Sequence, residues 1–106
     1  MHAAVRSYRA DASQMDDVLA KLDEVFMPQI TNADGFCGYQ AIDTGNGGLV
    51  TVSCFESMEQ AEASTEMAAD FIRDELSDMD LERTDVKSGD VRVSKETEAV
   101  LQEAHV

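Results

Sequence analysis

The sequence predicts a single small α+β domain with the element order βαββαβ, and three observations carry that prediction. Two stretches repeat apolar residues at helical spacing. A glycine-rich turn between them joins two strand-like runs, and a further strand-like run stands at each end. At 106 residues the chain suffices for one hydrophobic core. Hydrophobic residues make up 43% and charged residues 28%, the composition of a globular protein and not of a disordered one.

Residues 2–10 alternate loosely around Val5 and Tyr8 and read as the first strand. Asp11 to Asp16 reads as a helix start, with Ser13 and Asp16 spaced as a capping box and Asp16 and Asp17 at the positive end of the helix dipole. Met15, Val18, Leu19, Leu22, Val25, Phe26 and Ile30 form one apolar stripe. Pro28 has no amide hydrogen and is expected to disturb the last turns, and Gly35 is placed to take a left-handed conformation after them.

Phe36 to Thr44 and Leu49 to Glu56 read as two strands, joined by Gly45-Asn46-Gly47-Gly48, whose residues accept the positive φ angles of a hairpin turn. Ser57 and Gln60 form a second capping box, opening a helix to about Ser77. Its predicted inner face carries Met58, Ala61, Thr65, Ala68, Ala69, Ile72 and Leu76, and its outer face Glu59, Glu62, Glu66, Asp70 and Arg73. A fourth strand is expected within Leu81 to Ser94, best seen in Val91-Arg92-Val93. The domain then covers residues 1–95, and residues 96–106 form a short amphipathic tail with Val100, Leu101 and Ala104 on one side. This order is the split βαβ arrangement of ferredoxin-like domains, a four-stranded antiparallel sheet with two helices on one face.

Pairing the hairpin about Asn46-Gly47 sets Tyr39 opposite Cys54 and Gln40 opposite Ser53. In that register Cys37, Tyr39, Ala41, Val50, Val52 and Cys54 face the helices. Phe36, Gly38, Gln40, Ile42, Leu49, Thr51, Ser53 and Phe55 face away from them. The second set is too apolar for water, so a second copy packed face to face is expected to cover it, enclosing its polar groups as a cavity. On the first strand the smaller Ala3, Val5 and Ser7 suit the helix side, which turns Arg6 and Tyr8 toward the cavity. Arg6, Tyr8 and Gln40 are the candidate catalytic groups, able to hold an anion or donate a hydrogen bond. Phe36, Thr51, Ser53, Phe55 and Arg92 are the candidate pocket residues. Packing of the same face as a plain dimer core is the competing reading.

With 22 acidic against 8 basic residues, the formal net charge is −14 and the sequence pI about 4.2. Such a surface repels nucleic acid and anionic membranes, so neither is an expected partner. Self-repulsion of this size is screened in concentrated salt, where the Debye length falls to ~3 Å, so a halophilic protein is expected. No apolar run approaches the ~20 residues of a membrane span, and residues 1–6 lack the apolar core of a secretory signal, so the expected compartment is the cytoplasm. Cys37 and Cys54 have no metal or redox spacing and are read as small buried apolar groups. No metal site and no phosphate loop is expected.

Ala33-Asp34-Gly35-Phe36-Cys37-Gly38-Tyr39 after the first helix, and Val52-Ser53-Cys54-Phe55-Glu56-Ser57 followed by Ala61, resemble the dimeric α/β-barrel superfamily, specifically its antibiotic-biosynthesis-monooxygenase-like domains. The resemblance spans roughly residues 2–95 in element order. It implies a homodimer and either a cofactor-independent oxygenase of a small phenolic or quinol-type molecule or a non-catalytic small-molecule-binding dimer. The chain departs from both the cofactor-independent oxygenases and the haem-degrading branch: its histidines are His2 and His105, at the chain ends, it has no tryptophan for an aromatic wall, and its first strand lacks the asparagine expected in the haem-degrading branch. No cofactor is expected.

Overall fold

The computed structural model describes residues 1–95, and the predicted tail over 96–106 lies outside the described residues. Four strands, β1 (His2–Arg9), β2 (Phe36–Gly45), β3 (Gly48–Phe55) and β4 (Glu82–Asp90), form one antiparallel sheet in the order β2-β3-β1-β4. Between β1 and β2 run α1 (Met15–Lys21), a π-helical turn (Leu22–Phe26) and α2 (Met27–Thr31). Between β3 and β4 runs α3 (Met58–Glu75). This is the ferredoxin-like α+β fold, with the helical segments on one face of the sheet.

Local chemistry accounts for the boundaries. The first helical run opens on Asp11, whose carboxylate accepts from the Ser13 amide at 2.9 Å and the Ser13 hydroxyl at 2.7 Å; both bonds hold its pKa below the usual range. The cap is therefore Asp11, and the Ser13–Asp16 box does not form; residues Ala12–Gln14 make a 3-10 turn instead. Met15, Val18, Leu22, Phe26 and Ile30 are buried, as the stripe predicts. Pro28 has no hydrogen to return to the preceding turn, and the ladder widens just before it into the π turn. Gly35 takes φ 77°, and a side chain there would strike Gln60 Oε1 at 1.9 Å. That oxygen accepts from the Ser57 amide at 3.1 Å while Ser57 Oγ accepts from the Gln60 amide at 3.2 Å, so Gly35 and the α3 capping box are built against each other.

The inner face of α3 is Ala61, Ser64, Ala68 and Phe71, with Leu76 buried just beyond. It is rotated from the predicted face: Met58 is 49% exposed, whereas Ser64 and Phe71 are buried. Glu59, Glu62, Glu66 and Asp70 are solvated as expected, with Arg73 bridging Asp70 at 3.1 Å and Asp74 at 3.2 Å. β4 lies within the predicted span but ends at Asp90, so Val91-Arg92-Val93, where the strand signal was clearest, lies beyond it. Cys37 is exposed and Cys54 half-buried, which corrects their assignment to the interior.

The hairpin turn forms where predicted, with positive φ at Gly45, Asn46 and Gly47. Its register does not. A bulge between Asp43 and Gly45 inserts one residue, so Tyr39 pairs with Ser53, Gln40 with Val52 and Ile42 with Val50. One residue of slip turns every β3 side chain over. Leu49, Thr51, Ser53 and Phe55 therefore lie under the helices, while Val50, Val52 and Cys54 lie on the open face. β1 follows suit: His2, Ala4, Arg6 and Tyr8 are buried beneath the helices, and Ala3, Val5 and Ser7 are on the open face. The predicted grouping of Arg6, Tyr8, Thr51 and Ser53 stands, but on the opposite side of the sheet.

Candidate functional site

Strand alternation on β1 carries Arg6 into the layer between sheet and helices, where its residue exposure is 0%. Its cross-strand neighbour Thr51 accepts from Nε at 3.3 Å, and Ser53 accepts from Nη2. From above, α3 supplies Ser64 and Thr65, which accept from Nη1 at 3.3 and 3.1 Å. Ser64 sends its own proton to the Ala61 carbonyl at 2.5 Å. Among the described residues Arg6 has no carboxylate partner. Guanidinium stays charged at any accessible pH, and a buried ion costs several kcal/mol unless an opposite charge offsets it. Four hydroxyl dipoles satisfy its donors without neutralising it.

Beside this cluster is a narrow cleft, partly open to solvent, with a volume of about 20 Å³, room for about one water. α1 and the π turn supply Val18, Leu22 and Phe26; α3 and its end supply Ala68, Phe71, Ile72 and Leu76; and the sheet supplies Leu49. Its polar lining is three hydroxyls, Tyr8, Tyr39 and Thr51, with no acid or histidine. The π turn sets Phe26 edge-on to Tyr39, with ring centroids 5.6 Å apart and an interplanar angle of 62°, and 5.2 Å from Phe71. Burial pushes the Tyr39 phenol up to about 12, although the Arg6 charge and donation from Thr51 and Arg6 pull the other way. The phenol is thus a protonated donor throughout the neutral range.

The sequence-predicted residues divide three ways. Arg6, Tyr8, Thr51 and Ser53 come together, Tyr8 and Thr51 on the cleft wall and Arg6 and Ser53 behind it. Phe36 and Phe55 pair edge-to-face at 5.8 Å outside the cleft lining, at the His2 end of the sheet. Gln40 is exposed on the open face, and Arg92 is exposed beyond β4, so neither reaches the cleft. Sequence reasoning passed over Ser64, the hydrogen-bonding role of Thr65 and the place of Tyr39 on the cleft wall. Their signal was present: adjacent hydroxyls at positions 64 and 65 interrupt an alanine-rich helix face, as Thr51 and Ser53 interrupt an apolar strand.

No protein-family model matches the chain, and no curated protein matches it in sequence. Solved structures do match in shape. The haem-degrader MhuD from Mycobacterium tuberculosis, with two haems bound in its active site, superposes with a TM-score of 0.70 at 14% identity, covering 91% of this chain and 100% of that one. The monooxygenase ActVA-Orf6 of Streptomyces coelicolor, in complex with nanaomycin D, gives 0.67 at 13% identity over 91% of each chain. A dimeric ferredoxin-like protein from an uncultured marine organism gives 0.68 at 13% identity, covering 91% of this chain and 98% of its own. At these identities the likeness is one of fold: the chain shares the ferredoxin-like fold of these proteins.

Proposed function

We propose that this protein is a homodimeric, cofactor-independent oxygenase that binds a small phenolic or quinol-type molecule in the cleft and stabilises it as its anion. One observation carries the reading: Arg6 is a fully buried cation with no carboxylate partner among the described residues, behind the wall of an otherwise apolar cleft. A site of that kind favours a ligand that brings its own negative charge and an apolar body. The monooxygenase among the structural neighbours supports the choice of chemistry. Dioxygen takes electrons most readily from an electron-rich anion, so lowering a bound phenol's pKa activates it. In the overall step one oxygen atom enters the ring to give a quinone, the other leaves as water, and the substrate supplies all four electrons.

Histidine-ligated haem does not fit these residues. The cleft lining contains no histidine, cysteine or methionine, and the Tyr39 phenol is held protonated. His2 is engaged with Asp90 at 3.1 Å, four residues along β1 from Arg6.

The dimeric neighbour and the apolar open face support a face-to-face dimer. Val5 pairs with Val52 and Ile42 with Val50 across that face, while β4 edges it with Asp85 and Lys87 bridged at 3.2 Å. The test is oxygen uptake with naphthols and hydroquinones, no metal or flavin added, for the wild type and Arg6→Met. The expected result is turnover that falls at least 100-fold in Arg6→Met while the variant still folds. Equal turnover in the two would overturn the reading.

A further inference from the structure

The cleft is too small for the aromatic ring it is proposed to serve. It has room for about one water, so a phenol can sit only at its mouth, on the side open to solvent. The wall says what suits the space behind that mouth. Val18, Leu22 and Phe26 from the first helical run, Leu49 from the sheet, and Ala68 and Leu76 from α3 and its end are all buried hydrocarbon. Water is a poor occupant, because it needs about two to four polar partners. Of the three hydroxyls on the wall, Thr51 already serves Arg6 at 3.3 Å. A dry apolar void takes small apolar molecules instead. Dioxygen is apolar, no wider than water and longer by a single bond.

We propose that this cleft is the dioxygen site of the oxygenase, with the aromatic substrate seated at its mouth. The inference rests on the oxygenase reading and gives its two reactants separate places. Thr51 ties the site to the buried charge, since it lines the cleft and accepts from Arg6 Nε. One electron passing from the substrate anion to dioxygen leaves a substrate radical and superoxide, and their union forms the new carbon–oxygen bond. The negative charge gained by dioxygen then lies one side chain away from a guanidinium with no carboxylate partner among the described residues. The adduct takes up the proton that the phenol released and loses water, which leaves the quinone. All four electrons come from the substrate, with one oxygen atom in the ring and the other in water.

The experiment is methyl NMR of the full chain under dioxygen pressure, with no substrate present and dinitrogen at equal pressure as the diamagnetic control. Dioxygen is paramagnetic and speeds the relaxation of the methyl groups it touches. The expected result is an enhancement at Leu22, Leu49 and Leu76 several-fold above that at Ile30 and Ala61, which are also buried but do not line the cleft. Ala68→Val adds two methyl groups to the wall and should remove that excess. In hydroquinone turnover it should raise KM for dioxygen about 10-fold or more, the scale of one methylene in an apolar pocket. KM for the hydroquinone should move far less. Cleft methyls that relax no faster than Ile30 and Ala61 in the wild type overturn the proposal, whether or not the variant folds. So does an Ala68→Val protein that keeps the excess, or that raises both KM values alike. Excess relaxation with no oxygen uptake on any hydroquinone or naphthol overturns the proposal through the oxygenase reading on which it rests. Uptake without the excess overturns the dioxygen site alone.

Discussion

The two faces of the sheet invert the usual arrangement. Under the helices, where aliphatic packing is the norm, β1 and β3 contribute Arg6, Thr51 and Ser53 next to Tyr8, Leu49 and Phe55. On the open side, where charge is the norm, the same strands contribute Ala3, Val5, Val50, Val52 and Cys54. A sheet that faced water alone would gain by exchanging the two sets. The polar groups inside come at a cost in stability, since an apolar group in place of a buried ion is often neutral or stabilising. The covered face therefore points to binding chemistry, and the open face to association.

Three changes would break or sharpen that contrast. The largest effect is expected from Val52→Asp, which would set an unpaired carboxylate on each side of the proposed two-fold interface at several kcal/mol per ion. Light scattering in concentrated KCl should show the dimer mass halved and circular dichroism an intact fold. A dimer that survives would assign the apolar face some other role. Next is Phe26→Ala, which removes the ring wedged between Tyr39 and Phe71. A loss of about 3–5 kcal/mol is expected in urea unfolding. A loss under ~1 kcal/mol would mean that the π turn is not part of the packed core.

The smallest effect is a pH dependence. Tyr39 titrates near its ordinary 10.0 in the unfolded chain and near about 12 in the folded one. Between those values the unfolded state has released a proton that the folded state keeps, so stability falls as pH rises through that window. Tyr39→Phe should flatten this part of the profile, measured by denaturant midpoints at fixed ionic strength. An unchanged slope in the variant would assign the alkaline loss to other groups.

Features set by neighbouring residues were legible in the sequence. The Gly45–Gly48 turn, the Ser57–Gln60 box, the left-handed Gly35 and the stripe from Met15 to Ile30 all form as read. Each depends on a few residues whose φ preferences, caps or spacing act within one or two turns of chain. Faces of strands were not legible. They rest on parity, and one bulged residue near Thr44 reverses the parity of β3 without leaving a compositional mark. The inner face of α3 was missed for a related reason: Ser64 looks out of place on an apolar face until Arg6 is set beneath it.

By itself, then, the sequence determined the element order, the hairpin turn, the Ser57–Gln60 cap and the grouping of Arg6, Tyr8, Thr51 and Ser53, because alternation and capping are local. Only the tertiary structure decided which side of the sheet that set occupies, that Tyr39 joins it on the cleft wall while Gln40 and Arg92 do not, and that among the described residues Arg6 is held by hydroxyls alone. Those outcomes depend on register between strands and on which helix residues lie above them, and both are fixed by contacts between residues distant along the chain.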